Sequence, residues 1–295
     1  MHVFALTLVW AASVADPRAV EVQVRNVNLH LDASIVLQIR RLRGQMAPLR
    51  KNLPVTFDDS GSFVTRIRSA EIAIDASTIA DIMNRYVFAY SGAPLKNIEI
   101  TVDHGHIVQK GTIHKVVDLP FEVEGSLGVT PDGRIRLHAD KVTSAHVPFK
   151  GLLHLFGKDL SRMVNIKQDR GVRIEGDDIL LDPSRMLPPP HLEGKVTAVQ
   201  IEGDKIVHTF GSETGGELDP PHKALAYIYH RGGVVRFGKL TMTDADMEIV
   251  SESGAPTFDF SSPEYNRQLV AGYSKSTPSH GLIVFMPDFR SLASR

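Results

Sequence analysis

LPFEVEGSLGVTPDGRIRLHA, residues 119–139, is the stretch whose reading decides the fold. Leu119, Phe121, Val123, Leu127 and Val129 alternate with Glu122, Glu124, Ser126 and Thr130. Thr130, Pro131, Asp132 and Gly133 then turn the chain, and Ile135, Leu137 and Ala139 alternate with Arg134, Arg136 and His138. A period of two, with one apolar and one charged face, predicts a long antiparallel hairpin that is wet on one side. Its dry face needs an apolar cover, and the rest of the chain is read for what supplies it.

Two segments have the spacing to do so. After the strand-like run Ala70 to Ile74, Asp75 stands where a helix N-cap would. Ile79, Ile82, Met83, Tyr86, Val87 and Tyr90 then recur at three- and four-residue spacing, ending at Gly92. The second segment, Phe149 to Val164, carries Leu152, Leu153, Phe156, Leu160 and Met163 on one helical face. Elsewhere the pattern is β. Val20, Val22 and Val24 shift phase to Val27, Leu29 and Leu31, which predicts a bulge near Asn26, and Ile35, Leu37 and Ile39 complete a hairpin through Asp32 to Ser34. Ile98 to Val102, Ile107 to Val117, Val172 to Leu181, Val196 to Ile201 and Ile206 to Phe210 read as further strands. Pro188 to Pro190 reads as a stiff connector.

Composition narrows the function. With 295 residues, 42% hydrophobic, 23% charged and a net charge of -1, the chain has ample core and no basic excess for nucleic acid. The absence of cysteine removes thiol catalysis, disulfides and cysteine-based zinc sites. Val3 to Ala12 is an apolar run followed by the small-residue ending Ser13-Val14-Ala15. It reads as a signal peptide over 1–15, though without a lysine or arginine before the run; an apolar first strand or a mis-assigned start are the alternatives.

No nucleophile elbow, Walker loop, zinc-binding His-Glu-x-x-His or dinucleotide fingerprint occurs, so catalytic and cofactor-binding residues are expected to be none. His104 and His106 flank a turn glycine and are read as turn residues, with no metal site expected. Arg40, Arg41, Arg43, Arg50 and Lys51 border Pro48 and form a cationic cluster. It is either a solvated loop or a place for lipid head groups and peripheral membrane contact. Asp244 and Asp246 are read as loop residues, and with His280 they are the place to look for a hydrolase.

The order strand, amphipathic helix, long meander and second helix resembles the bacterial LmeA-like phospholipid-binding proteins over roughly residues 65–210. The likeness is carried by Leu95 to Val102, Leu119 to Gly125, Asp132 to Leu137 and Gly171 to Ile174. It implies the tubular lipid-binding (TULIP-like) class, in which a curved antiparallel sheet wraps a helix and leaves an elongated apolar groove, with no catalytic residues to transfer.

The expectations are therefore an α+β fold with a long, curved antiparallel sheet around two amphipathic helices and a β-rich C-terminal extension. A lipid-binding region over 16–210 is followed by a glycine- and acid-rich linker at 211–222, then by residues 223–295 as a small module or as extra strands on the main sheet. The expected function is non-catalytic binding of phospholipid or another acyl lipid in the periplasm or cell envelope. The alternatives are an envelope structural or interaction protein with a self-filled core, or an exported hydrolase. Groove candidates are Ile79, Ile82, Met83, Val87, Phe121, Val123, Leu127, Leu152, Leu153 and Phe156.

Overall fold

The computed structural model describes residues 16–114, 118–144, 167–211 and 216–292. The chain opens as a hairpin of β1 (Val20–His30) and β2 (Val36–Pro48). Its turn is set by Asp32, whose Oδ1 accepts the backbone N–H of Ser34 and of Ile35, each at 2.8 Å. Next come β3 (Val55–Thr56), β4 (Phe63–Asp75) and helix α1 (Ala76–Ile82), which continues as a wide turn over Met83–Val87. A meander follows, of β5 (Leu95–Asp103), β6 (His106–His114), β7 (Asp118–Val129) and β8 (Ile135–Thr143). It is completed by β9 (Val172–Glu175) and β10 (Asp178–Leu181).

A one-turn helix, α2 (Pro183–Met186), and β11 (His191–Glu193) lead into the hairpin β12 (Val196–Glu202) and β13 (Lys205–Phe210). The C-terminal part comprises β14 (Tyr227–Phe237), β15 (Leu240–Ser251), β16 (Phe258–Ser261), helix α3 (Tyr265–Ala271), β17 (Tyr273–Ser276) and β18 (Leu282–Met286).

These strands make two sheets. The larger, mixed and 12-stranded, runs β12-β13-β4-β2-β1-β14-β15-β18-β17, with β11, β16 and β3 joined in parallel to β4, β1 and β14. The smaller is a curled, six-stranded antiparallel half-barrel in the order β5-β6-β7-β8-β10-β9. The protein is thus mostly β, and the single sheet expected from the sequence is divided. The division follows from α1, which carries the chain off the end of β4 into a meander that pairs only with itself.

The helical expectation needs correcting at its end: regular α-helix stops at Ile82, well before Tyr90. Asp75 does occupy the N-cap position, but its side chain does not cap. It accepts instead from Gln38 at 3.1 Å and lies 3.7 Å from Lys205 Nζ. The second expected helix, at 149–164, lies outside the described residues.

The phase shift in β1 is real and has a cause. Asn26 takes φ 52°, and around it the neighbour of β1 changes from antiparallel β14, paired through Arg25, to parallel β16, paired from Val27. Opposite, β2 slips by one residue against β4 between Ile39 and Arg41, so both strands of the first hairpin bend at the same level.

Because β14 pairs with β1 from Glu21–Arg231 to Arg25–Tyr227, the C-terminal strands extend the main sheet. The described part of the linker-like segment, from 216 on, is strapped to that sheet. Leu218 N–H donates to Gln23 Oε1 (2.7 Å) and His222 N–H donates to Glu248 Oε2 (2.6 Å), and just past the segment Asn26 Nδ2 donates to the Leu225 carbonyl (2.9 Å). Glu248 is wholly buried, and burial raises the pKa of its carboxyl.

Candidate functional site

The β7–β8 hairpin forms with the turn read from the sequence. Thr130 N–H donates to the Arg134 carbonyl and Gly133 N–H to the Thr130 carbonyl, both at 2.9 Å, with Gly133 at φ 87°. Its apolar face is not one surface. Leu127 and Val129 pack into the main core, whereas Phe121 and Val123 form a separate cluster with Val142, against Leu95, Ile113 and Ala139. A register slip between Glu124 and Gly125 lies between the two halves. A Cβ at Gly125 would lie 2.2 Å from the His138 carbonyl oxygen, so only glycine allows β7 and β8 to approach so closely there.

Where Leu127 enters the core, an apolar crevice lies between the two sheets. One wall is α1 with its following turn, through Ile79, Ile82 and Met83, together with Ile74 of β4 and Ile206 of β13. The half-barrel supplies the other wall from β5, β6, β7, β8 and β10, including Ile100, Ile107, Ile135 and Ile179. Met186 and Leu187 close one side. Among the described lining residues only Gln109 and His208 are polar, and both are buried. Burial pushes the His208 imidazole down to about 4, against a smaller opposing effect of the Ile72 backbone, so at neutral pH the ring is uncharged. The cavity measures about 70 Å³.

Of the groove candidates, Ile79, Ile82, Met83 and Leu127 are brought together here. Val87 is buried in the same core without lining the crevice. Phe121 and Val123 are in the separate cluster, and Leu152, Leu153 and Phe156 lie outside the described residues. The wall residues of β5, β6, β8 and β10 were legible as alternating apolar positions. Gln109 and His208 were not, because a lone polar residue in an apolar run carries no signal of which face it takes.

Only part of the cationic cluster is loop, namely Arg50 and Lys51, which lie beyond the end of β2. Arg40, Arg41 and Arg43 belong to β2 and are matched by carboxylates. Arg40 lies 2.8 Å from Glu71 and also pairs with Glu202, Arg41 lies 3.0 Å from Glu71, and Arg43 lies 3.6 Å from Glu21. Arg50 is 3.4 Å from Asp59, and Lys51 is exposed. An anionic head group would have to displace these partners, and for exposed pairs each such exchange is worth only about 1 kcal/mol or less.

Asp244 and Asp246 lie in β15, contrary to the loop expectation. Asp246 is held by Tyr229 Oη (2.8 Å) and Arg231 (3.2 Å), while Asp244 is an exposed residue at φ 54°. His104 occupies the β5–β6 turn at φ 47°, beside Gly105 at φ 80°, whereas His106, read from the sequence as a turn residue, is the first residue of β6. Among the described residues no group of three or more His, Asp or Glu is placed to hold a metal ion, and no helix is long and apolar enough to cross a membrane. Compared with family models, curated proteins and solved structures, the chain has no match.

Proposed function

We propose that this protein binds an acyl lipid, without catalysis, in the crevice between α1, the half-barrel and strands β4 and β13. The observation that carries the reading is the lining: fifteen apolar side chains from both sheets and their helices surround two buried polar groups, Gln109 and His208. An uncharged imidazole and an amide suit a carbonyl or hydroxyl near the head of a chain better than a charged group. The likeness of residues 65–210 to LmeA-like proteins of the tubular lipid-binding class points the same way, and with the apolar run at 1–15 it supports a site of action at the cell envelope.

Size sets the mechanism. An engineered cavity of about 150 Å³ accepts benzene, so a cavity of about 70 Å³ cannot take an acyl chain without widening. Each methylene buried contributes about 0.8 kcal/mol, so eight would supply about 6 kcal/mol to offset parting the walls and the cost of association. The same small volume favours the second reading, an envelope structural or interaction protein whose core fills itself.

The test is organic extraction of the purified native protein followed by mass spectrometry, with uptake from phosphatidylglycerol and phosphatidylcholine vesicles as a second readout. Bound lipid is expected in the wild type and is expected to be lost in Leu127→Trp, which fills the crevice. Lipid absent from the wild type in both measurements would overturn the proposal in favour of the self-filled core.

A further inference from the structure

A second apolar crevice lies on the large sheet, and it holds a polar group that protein contacts leave unsatisfied. Its floor is built from β1 and β2, including Val24, Val27 and Leu42, and it is covered by Phe57, Pro190 and Phe260. His230 of β14 also lines it. This side chain is wholly buried, and neither Nδ1 nor Nε2 has a hydrogen-bond partner. The Met247 backbone approaches the ring and favours its protonated form, but short of hydrogen-bonding geometry. Phe57 meets the imidazole edge-on at 5.4 Å and is itself packed against Phe63, Phe237 and Tyr265, so the ring is fixed in place. Buried polar atoms are satisfied in the great majority of cases, and a bare imidazole in an apolar wall is an exception that calls for a partner.

We propose that this crevice is a binding site for a small apolar molecule bearing one hydroxyl, which hydrogen-bonds to His230. A hydroxyl both donates and accepts, and so matches a neutral imidazole in either tautomer. Thr65 and Ser262 are the other two polar residues in the lining. The cavity is about 70 Å³, roughly half the size that admits benzene, which limits the occupant to a few carbons. The site shares no lining residue with the crevice at His208, so it stands or falls independently of the proposed function.

The probe is ethanol, titrated into the full chain while the ring nitrogen resonances of His230 and the methyl resonances of Val24, Val27 and Leu42 are followed by NMR. Saturable shifts at His230 and at these methyls are expected, and the affinity read from the methyls is expected to fall about fivefold in His230→Phe, the loss of one hydrogen bond of about 1 kcal/mol. Thr65→Val serves if His230→Phe does not fold, with a weaker affinity again expected. Ring resonances that do not move, as when an ordered water already satisfies the imidazole, would overturn the proposal. So would an affinity unchanged in the folded variant.

Discussion

The two walls of the crevice at His208 are built on different plans. In the large sheet, β4 is paired along both edges, by β2 on one side and by β13 on the other, and consecutive Ile72, Ala73 and Ile74 are all buried, so both of its faces are covered where it lines the crevice. In the half-barrel, β5 lies at an edge and exposes Lys96, Asn97, Glu99 and Thr101 to solvent. The strands of the two sheets share no ladder. One wall therefore has the density of a core, while the other is a single layer with one wet face. If the crevice must widen to admit a chain, the half-barrel is the wall that yields, because moving it breaks fewer buried contacts.

Truncation on each side gives the largest contrast. Leu37 is fully buried in the large sheet, and Leu37→Ala is expected to cost about 2–5 kcal/mol in denaturant unfolding. Leu127 is only partly buried and borders existing space, so Leu127→Ala is expected to cost about 1–2 kcal/mol, below the range for a closed core. Equal losses would break the distinction between a firm and a yielding wall.

Acid should separate the walls next. His208 and His230 both belong to the large sheet, and burial holds each at about 4. In the unfolded chain a histidine titrates near 6.5, so between about pH 6.5 and 4 the unfolded state binds more protons. Stability from the buried neutral rings is complete above about 6.5 and is lost as the pH falls toward 4. The loss is on the order of 3 kcal/mol for each ring. Unfolding followed from pH 7.5 to 4.5 should show this loss, and His208→Gln should reduce its slope. The same slope in wild type and variant would mean that His208 titrates alike folded and unfolded.

How much of this was legible in the sequence depended on whether a residue's role was local. The β7–β8 hairpin, its Thr130–Gly133 turn and the bend at Asn26 were readable because alternation and turn chemistry are properties of neighbours. Four of the ten groove candidates line the crevice for the same reason: Ile79, Ile82 and Met83 share one helical stripe, and Leu127 lies on the dry face of β7. The make-up of the large sheet was not readable, since pairing of β14 with β1 joins residues about two hundred positions apart. Nor was the neutralisation of Arg40, whose partners Glu71 and Glu202 come from two distant strands. The segment at 211–222 looked like a linker because glycine, acid and proline are used both by free chain and by a strap. Only the bonds from Gln23 to Leu218 and from Glu248 to His222, in its described part, tell the two apart.

The smallest expected effect concerns that arginine, and it sharpens the comparison from the outside. Arg40 bridges β2 to Glu71 of β4 and to Glu202 of β12, so it ties the charged surface of the large sheet across three strands. Its partners hold its pKa above the usual range and keep it charged at every pH of interest. Its side chain is 40% exposed, however, and solvent screening limits what the pairs contribute. Arg40→Ala is therefore expected to lower stability by about 1 kcal/mol or less, and the loss should shrink in high salt. It should also leave vesicle binding unchanged, because the cation is already matched by carboxylates. A several-fold loss of binding to phosphatidylglycerol vesicles, with phosphatidylcholine unaffected, would show instead that Arg40 exchanges its carboxylates for a head group. The charged surface of the firm wall would then share in lipid capture with the yielding one.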